Sequence, residues 1–201
     1  MGERTLAVFA KAPTPGRVKT RLALDIGARP AALLYRRMGR AVVRATAGSR
    51  YRTVVWFTPP RARRAVGSWL ERLGVAAYRS QGAGDLGARL RRAFRRQFAD
   101  GDRAVVIIGT DCPELGRRDV ARAFAALETH DVVLGPARDG GYYLVGLRSH
   151  RPALFRGIPW STPNVMLVTR ARVRAMGLRC ALLRRLRDVD HATDARALGL
   201  L

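Results

Sequence analysis

The stretch Ala104–Leu115, AVVIIGTDCPEL, decides how the rest of the chain is read. Residues 104–108 are apolar and mostly β-branched without alternation, the pattern of a strand buried on both faces of a parallel sheet. Such a strand needs helices above and below it. It is followed at once by Gly109, Thr110, Asp111 and Pro113, residue types that end a strand and open a loop.

Working outward, further apolar runs occur at 6–10, 53–58, 75–78, 132–135 and 142–147, with helical periodicity at 31–47, 61–73, 86–98, 118–127 and 165–176. Strand and helix alternate, which predicts a three-layer α/β/α sandwich around a mostly parallel mixed sheet, Rossmann-like in outline. The runs at 132–135 and 142–147 lie too close together for a crossover helix, so an antiparallel insertion is expected there. No repeat, low-complexity tract or linker interrupts the pattern, and residues 1–201 read as one domain. No apolar run reaches the roughly 18 residues of a membrane span, and no leader sequence is expected, since the apolar run at 5–10 is short and leads straight into Lys11. Two cysteines, Cys112 and Cys180, without CxxC spacing make no disulfide scaffold, so a cytoplasmic location is expected.

The composition is dominated by charge: 38 basic residues against 15 acidic, a net +23. Clustered cations are the usual footprint of nucleic-acid binding. Their distribution argues otherwise. Over residues 86–98, Leu86, Leu90, Ala93 and Phe94 share one helical face, while Arg89, Arg91, Arg92, Arg95 and Arg96 fill the other as a solvated surface. Aromatic interleaving, zinc-finger spacing and a helix-turn-helix are all missing, so nucleic acid is disfavoured as a partner. Anionic small molecules such as nucleotides remain favoured by the field. Only Lys11 and Lys19 among the basic residues are lysine, and both fall in the loop after the first strand. A compact ammonium on a flexible stem does there what a planar guanidinium does not, and phosphate contact is the reading we prefer over chance.

That loop, FAKAPTPGRVKTRL at 9–22, runs from the strand through Ala10, Lys11, Pro13, Pro15 and Gly16 to Lys19, Thr20 and Arg21 at a helix start. A strand, a glycine-containing turn and cations near a helix start make a cradle for an oligophosphate. Its single glycine rules out a Walker A loop. GAGDLG at 82–87 fits G-x-G-x-x-G only formally; Asp85 reads as a helix N-cap, with Gly84 and Gly87 allowing the turn and free amides able to read a nucleobase edge. In GTDCPEL, Asp111 at the strand end could hold a hard divalent cation with phosphate oxygens and water, or serve a turn or cap. Cys112 reads as a buried thiol. GPARDGGYYLVGL at 135–147 places Asp139, Gly140 and Gly141 in a hairpin turn before Tyr142. There they could also grip an acceptor, with Trp160 as a wall and Ser161 and Thr162 as donors or as the start of the next helix. In DVDHATD at 188–194, one of Asp188 and Asp190 reads as a second metal ligand and the other as a cap.

Taken in order, FAKAPTPGRVKTRL, GDLG, GTDCPEL, GPARDGGYYLVGL, PWST and DVDHATD resemble the nucleotide-diphospho-sugar transferase superfamily, which has the glycosyltransferase-A fold. The likeness is to a bacterial glycosyltransferase-like branch related to the molybdenum-cofactor and phospholactate guanylyltransferases. The resemblance implies a nucleotide held by the first loop and by Gly84, Asp85 and Gly87. It also implies a divalent metal, Mg²⁺ or Mn²⁺, on Asp111 with its second ligand at Asp190. The last motif departs from the usual Asp-Thr-Pro-Glu-Asp: His191 and Ala192 stand where Thr and Pro are expected, while Asp190 and Asp194 are in place. The expected activity is nucleotidyl transfer from a nucleoside triphosphate to a small phosphorylated acceptor. Lys19 and Arg21 would then bear on the leaving phosphates, Lys11 on the α-phosphate, and Asp111 on the metal. The competing readings are glycosyl transfer from a nucleotide-sugar and, from another class, a non-catalytic nucleic-acid binder.

Overall fold

The computed structural model describes residues 3–201. Seven strands form one sheet: β1 (Arg4–Lys11), β2 (Arg52–Thr58), β3 (Ala77–Ser80), β4 (Ala104–Ile108), β5 (Val132–Pro136), β6 (Tyr142–Leu147) and β7 (Cys180–Leu182). Their order is β3-β2-β1-β4-β6-β5-β7, and all run parallel except β6, which pairs antiparallel with both β4 and β5. The helices are α1 (Thr20–Ile26), α2 (Ala28–Thr46), α3 (Arg63–Trp69), α4 (Leu86–Ala99), α5 (Arg117–Ala126), α6 (Val165–Ala175) and α7 (Ala192–Ala197).

Alternate residues of each strand feed two cores. Leu6, Val8, Val55, Phe57, Val106 and Ile108 pack with Tyr35, Val42 and Val43 of α2, Val66 and Trp69 of α3, and Val120 and Phe124 of α5. Ala7, Val54, Trp56, Val105, Ile107 and Val145 pack on the opposite face with Leu90 and Phe94 of α4 and Val173 of α6. Every residue of β4 is buried, which is what its unbroken apolar run requires. Burying each such aliphatic side chain stabilises the fold by roughly 1.5–3 kcal/mol. A third cluster joins Leu22 of α1, Leu34 and Met38 of α2, Val189, and Ala192 and Ala195 of α7. It brings the C-terminal segment beneath the loop that follows β1.

The three-layer sandwich and its antiparallel insertion are as expected, with β6 lying between β4 and β5. Three details differ. The third strand sits two residues later than its apolar run: the chain joins β2 through the bond from Ala76 N to Thr53 O, and pairing runs on from Ala77 to Ser80. The helix expected over 61–73 is a 3₁₀ turn (Pro60–Ala62) leading into α3. It stops at Trp69, and Arg72 and Gly74 beyond it take positive φ. β7 was not foreseen, since three residues at a sheet edge carry no readable alternation. Among the described residues, no helix is long and apolar enough to cross a membrane.

From β1 the chain builds outward to β2 and β3, then returns to lay β4 on the other side of β1. The loops leaving β1 and β4 therefore diverge at a topological switch point, the place where open α/β sheets bind ligands.

Candidate active site

The loop after β1 is a rigid turn. Thr14 N bonds Ala12 O at 2.7 Å, Arg17 N bonds Thr14 O at 3.0 Å, and Val18 is buried as its anchor. Gly16 has φ +72° with open space around it, so glycine is required there for its backbone alone. Lys19 follows as the N-cap of α1 in the left-handed region, φ 47° and ψ 49°. For a residue with a side chain that conformation costs roughly 1–3 kcal/mol, and it marks a position the surroundings force.

What it achieves is to turn the Lys19 side chain inward, where only 6% of it is exposed. Its Nζ lies 2.7 Å from Asp111 Oδ1 and 3.1 Å from Asp190 Oδ1, and Arg21 Nη1 lies 3.1 Å from Asp190 Oδ2. The bond to Asp190 is a hydrogen bond. The approach to Asp111 is the closer of the two, an ion pair onto an oxygen that is itself buried. Burial by itself would lower the Lys19 pKa, but Asp111 and Asp190 outweigh it and hold the ammonium above the ordinary lysine range.

Asp111 is tied by its backbone to the C-terminal segment, its carbonyl accepting from Val189 N at 3.0 Å. Asp190 is set by the cap of α7. Asp194 Oδ2 accepts from the amides of Asp190 and His191, Asp194 Oδ1 pairs with Arg187, and Asp25 of α1 accepts from Ala192 N. Neither Asp188 nor Asp190 caps the helix, contrary to the expectation that one of them would. Asp194 and Asp25 do so, because they are the carboxylates that reach the free amides.

Three lobes of one cleft meet at Asp111. The first, about 510 Å³, holds the cations: Lys11, Arg17, Lys19 and Arg21 face Asp111, Asp139 and Asp190, with Tyr35, Ser161 and Thr162. The second, about 360 Å³, lies between the ends of β1 and β4 and the start of α4, against Ala10, Tyr35, Gln81, Leu86 and Arg89. The third, about 320 Å³, gathers Asp111, Asp139, Asp188 and Asp190 with Tyr142 and Trp160, and no lysine or arginine lines it. Burial, then the charges of Asp139 and Asp190, push the Asp188 carboxyl up to about 6.

Around the second lobe, Asp85 is the expected N-cap, its Oδ1 accepting from Ala88 N at 2.7 Å. Gly84 has φ +99°. A Cβ on Gly87 would lie 2.5 Å from Phe155 O and 2.8 Å from Trp160 Nε1, so α4 approaches them only through glycine. The arginine face of α4 is not simply solvated, as the sequence implied. Arg89 Nε bonds Gly84 O at 2.9 Å, Arg92 bonds the carbonyls of Gln81 and Ala83, and Arg91 bonds Phe155 O. Arg89 and Arg92 thus fasten the glycine-rich loop, and Arg91 ties α4 to the turn that ends at Phe155. Leu86, expected in the core, is 41% exposed and forms part of the rim of this lobe.

On the third lobe, Asp139 Oδ1 accepts from Gly141 N at 2.8 Å and so closes its own hairpin turn. Gly140, at φ +88°, sits so close to the 157–164 loop that a Cβ would lie 2.2 Å from Pro163 O. Tyr142 meets Trp160 edge-on at 6.2 Å. Ser161 takes a positive φ, and Thr162 donates to Pro159 O. The alternative that Ser161 or Thr162 starts the next helix fails, because Asn164 is the N-cap of α6. Cys112 is buried, and burial pushes its thiol well above the usual range, so it is no nucleophile. Sequence reading missed Tyr35 and Gln81. Tyr35 looked like one more core aromatic on α2, and Gln81 carried no motif; it donates to Trp56 O at 2.8 Å and to Ala10 O at 3.4 Å.

Among the described residues, no group of three or more His, Cys, Asp or Glu is placed to hold a metal ion. Asp111 and Asp190 are a pair of hard oxygen donors brought together around a cation, here the Lys19 ammonium. That donor set suits Mg²⁺ or Mn²⁺ with phosphate oxygens completing the shell.

The fold that places this switch-point cleft is that of the nucleotide-diphospho-sugar transferase class. The chain is 34% identical to the crystal structure of a protein assigned to those transferases from Desulfovibrio desulfuricans G20, with TM-score 0.91 over 98% of this chain and 87% of that one. It belongs to the family described as "Uncharacterized protein conserved in bacteria (DUF2064)", matched over residues 38–162. It is also 34% identical over 158 residues to the 3-phospho-D-glycerate guanylyltransferase of Phenylobacterium zucineum (strain HLK1). That match takes in 70% of this chain and 64% of the relative, so the chain spans just under two thirds of that protein's length. The fold recurs in Rv0371C from Mycobacterium tuberculosis H37Rv, a structure in complex with manganese: 17% identity, TM-score 0.53, 98% of this chain and 97% of that one.

Proposed function

We propose that the chain is a cytoplasmic, single-domain nucleotidyltransferase that uses a divalent metal. It joins the nucleoside monophosphate unit of a triphosphate to a small phosphorylated acceptor. An acceptor phosphate oxygen attacks the α-phosphorus, the bond from that phosphorus to the β-bridging oxygen breaks, and pyrophosphate leaves. The observation that carries this reading is the gathering of Lys11, Arg17, Lys19 and Arg21 in one lobe of the cleft beside Asp111. A leaving pyrophosphate needs such cations, and the likeness to a guanylyltransferase supports the same chemistry.

In this reading Lys11, Lys19 and Arg21 bind the phosphates, with Gly16 keeping the backbone clear of them. Ala10, Gln81, Leu86 and the Gly84–Gly87 turn, with Asp85 fixing its helix start, receive the nucleoside. Asp139, Gly140, Gly141, Tyr142, Trp160, Ser161 and Thr162 shape the acceptor side. Asp111 and Asp190 would hold Mg²⁺ or Mn²⁺, which when bound neutralises charge that builds on the phosphate oxygens. Alignment and charge neutralisation do the rest, since phosphoryl-type transfer needs no side-chain nucleophile.

A second reading, transfer of a sugar from a nucleotide-sugar, is favoured by the likeness to the Desulfovibrio protein. One comparison separates them. With each of the four nucleoside triphosphates, Mg²⁺ and phosphorylated three-carbon acids, pyrophosphate release dependent on the acceptor is expected. Release of nucleoside diphosphate from a nucleotide-sugar, with no pyrophosphate from any triphosphate, would establish the second reading instead.

A further inference from the structure

Lys19 is placed where a metal shared by Asp111 and Asp190 would sit. Its ammonium touches one oxygen of each carboxylate, 2.7 and 3.1 Å away, and its side chain is almost wholly enclosed. The residue is also held in a left-handed backbone that a lysine does not prefer. The second oxygen of Asp190 is already taken by Arg21, so a metal held by both carboxylates must displace Lys19 or Arg21 from Asp190.

We propose that Lys19 is the resident counter-cation of the metal site and that it is exchanged for the divalent ion. In the free protein Lys19 neutralises Asp111 and Asp190. When metal arrives with the nucleotide, the ammonium leaves the carboxylates and passes to the phosphates on the cationic side of the cleft. Metal and lysine thus occupy the two carboxylates in turn, metal alone binds weakly, and nucleotide, by giving the ammonium a second partner, drives the exchange. The same residue serves both states because its flexible stem carries a compact charge; an arginine fork would be too large to sit between two carboxylates and swing away. The proposal rests on the reading of Asp111 and Asp190 as metal ligands, and the experiment separates the two.

Two measurements test it. In the first, Mn²⁺ is titrated without nucleotide into wild type, Lys19→Met and Arg21→Met, and bound ion is read by electron paramagnetic resonance. Loss of any nearby cation favours Mn²⁺; loss of the bridging one should favour it far more, by about tenfold or beyond relative to Arg21→Met. Equal gains in the two variants, or no gain in Lys19→Met, overturn the exchange and leave the metal reading standing. No Mn²⁺ binding at millimolar concentration in any of the three proteins overturns both. The second measurement needs no variant. The chain has only two lysines, so acetylation of Lys11 and Lys19 is read separately by mass spectrometry. Mn²⁺ should speed modification of Lys19 several-fold relative to Lys11 in the wild-type protein. An unchanged ratio at a Mn²⁺ concentration shown to be bound overturns the exchange, whether or not Lys19→Met folds.

Discussion

The Tyr35 hydroxyl lies 3.0 Å from Thr110 Oγ1 and, on its other side, accepts a hydrogen bond from Lys11 N at the same distance. One phenol buried on α2 thus ties the end of β1 to the loop after β4, the two segments that part at the switch point. Burial, with the nearby charge of Asp111, pushes its own pKa up to about 12, so it acts as a neutral hydrogen-bonding group. Tyr35→Phe leaves the part-buried Lys11 amide and the buried Thr110 hydroxyl without this partner. Stability should fall by about 1–3 kcal/mol, and the apparent KM for nucleotide should rise more than kcat falls. A variant with unchanged KM would show that the two loops hold their positions without this link.

Asp111→Asn keeps the size of the side chain and removes its charge. If Asp111 carries the proposed role, the rate should drop on the order of 10²–10³-fold, as when other preorganised electrostatic groups are removed. The folded state should change little, because Lys19 keeps Asp190. A turnover within a few-fold of wild type would take Asp111 out of the chemistry.

Arg184 bonds both oxygens of the buried Asp119, at 2.8 and 3.0 Å, and the carbonyl of Glu114 in the loop that carries Asp111. Burial would raise the Asp119 pKa, but these bonds and the Gly116 amide outweigh it and hold the carboxyl below its usual 3.8. A lowered folded pKa gives stability that is present above the unfolded value and is lost as pH falls through the folded one. Arg184→Met removes the partner and should cost about 1–3 kcal/mol near neutral pH, with the guanidinium's partial exposure limiting the loss. The acid-unfolding midpoint, followed by circular dichroism, should move to higher pH. An unshifted midpoint would mean the pair contributes nothing to folding.

Gly140→Ala puts a Cβ 2.2 Å from Pro163 O at a backbone φ of +88°. Both the backbone and the contact with the 157–164 loop must give, at a cost of about 2–3 kcal/mol. The melting temperature should fall by roughly 4–12 °C for a chain of this size. Acceptor-side kinetics should suffer with it, since Gly140 O also holds Met166 N at 2.9 Å. Gly101→Ala, where φ is +92° but nothing crowds a Cβ, provides the control for backbone strain alone.

Much of this was legible in the sequence because it is local chemistry. The unbroken apolar run of β4 demanded cover on both faces; Asp85 ahead of a helix read as a cap and is one; Asp-Gly between two close strands read as a hairpin and is one. The arginines of α4 were misread because a helical face shows which residues point away from the core, not which carbonyls wait there. Tyr35 stayed hidden because nothing in a helix of alanines, leucines and arginines distinguishes a core aromatic from one whose hydroxyl reaches two loops.

The sequence by itself determined the layers, the strand ends where the ligands should gather, and the short segment around the first of those ends that carries both lysines, although Lys11 proves to be the last residue of β1 and not part of the loop. Periodicity, turn chemistry and charge act over a few residues, and a chain cannot conceal them. Only the tertiary structure decided which of these residues meet. Lys19 and Asp190 are 171 positions apart, and they touch because β4 returns beside β1 and α7 packs under α1 and α2. Strand order and helix docking follow from the burial of the whole core, which no local pattern encodes. They turned two nearby lysines, one ending β1 and one opening α1, into one exposed cation and one enclosed between two carboxylates.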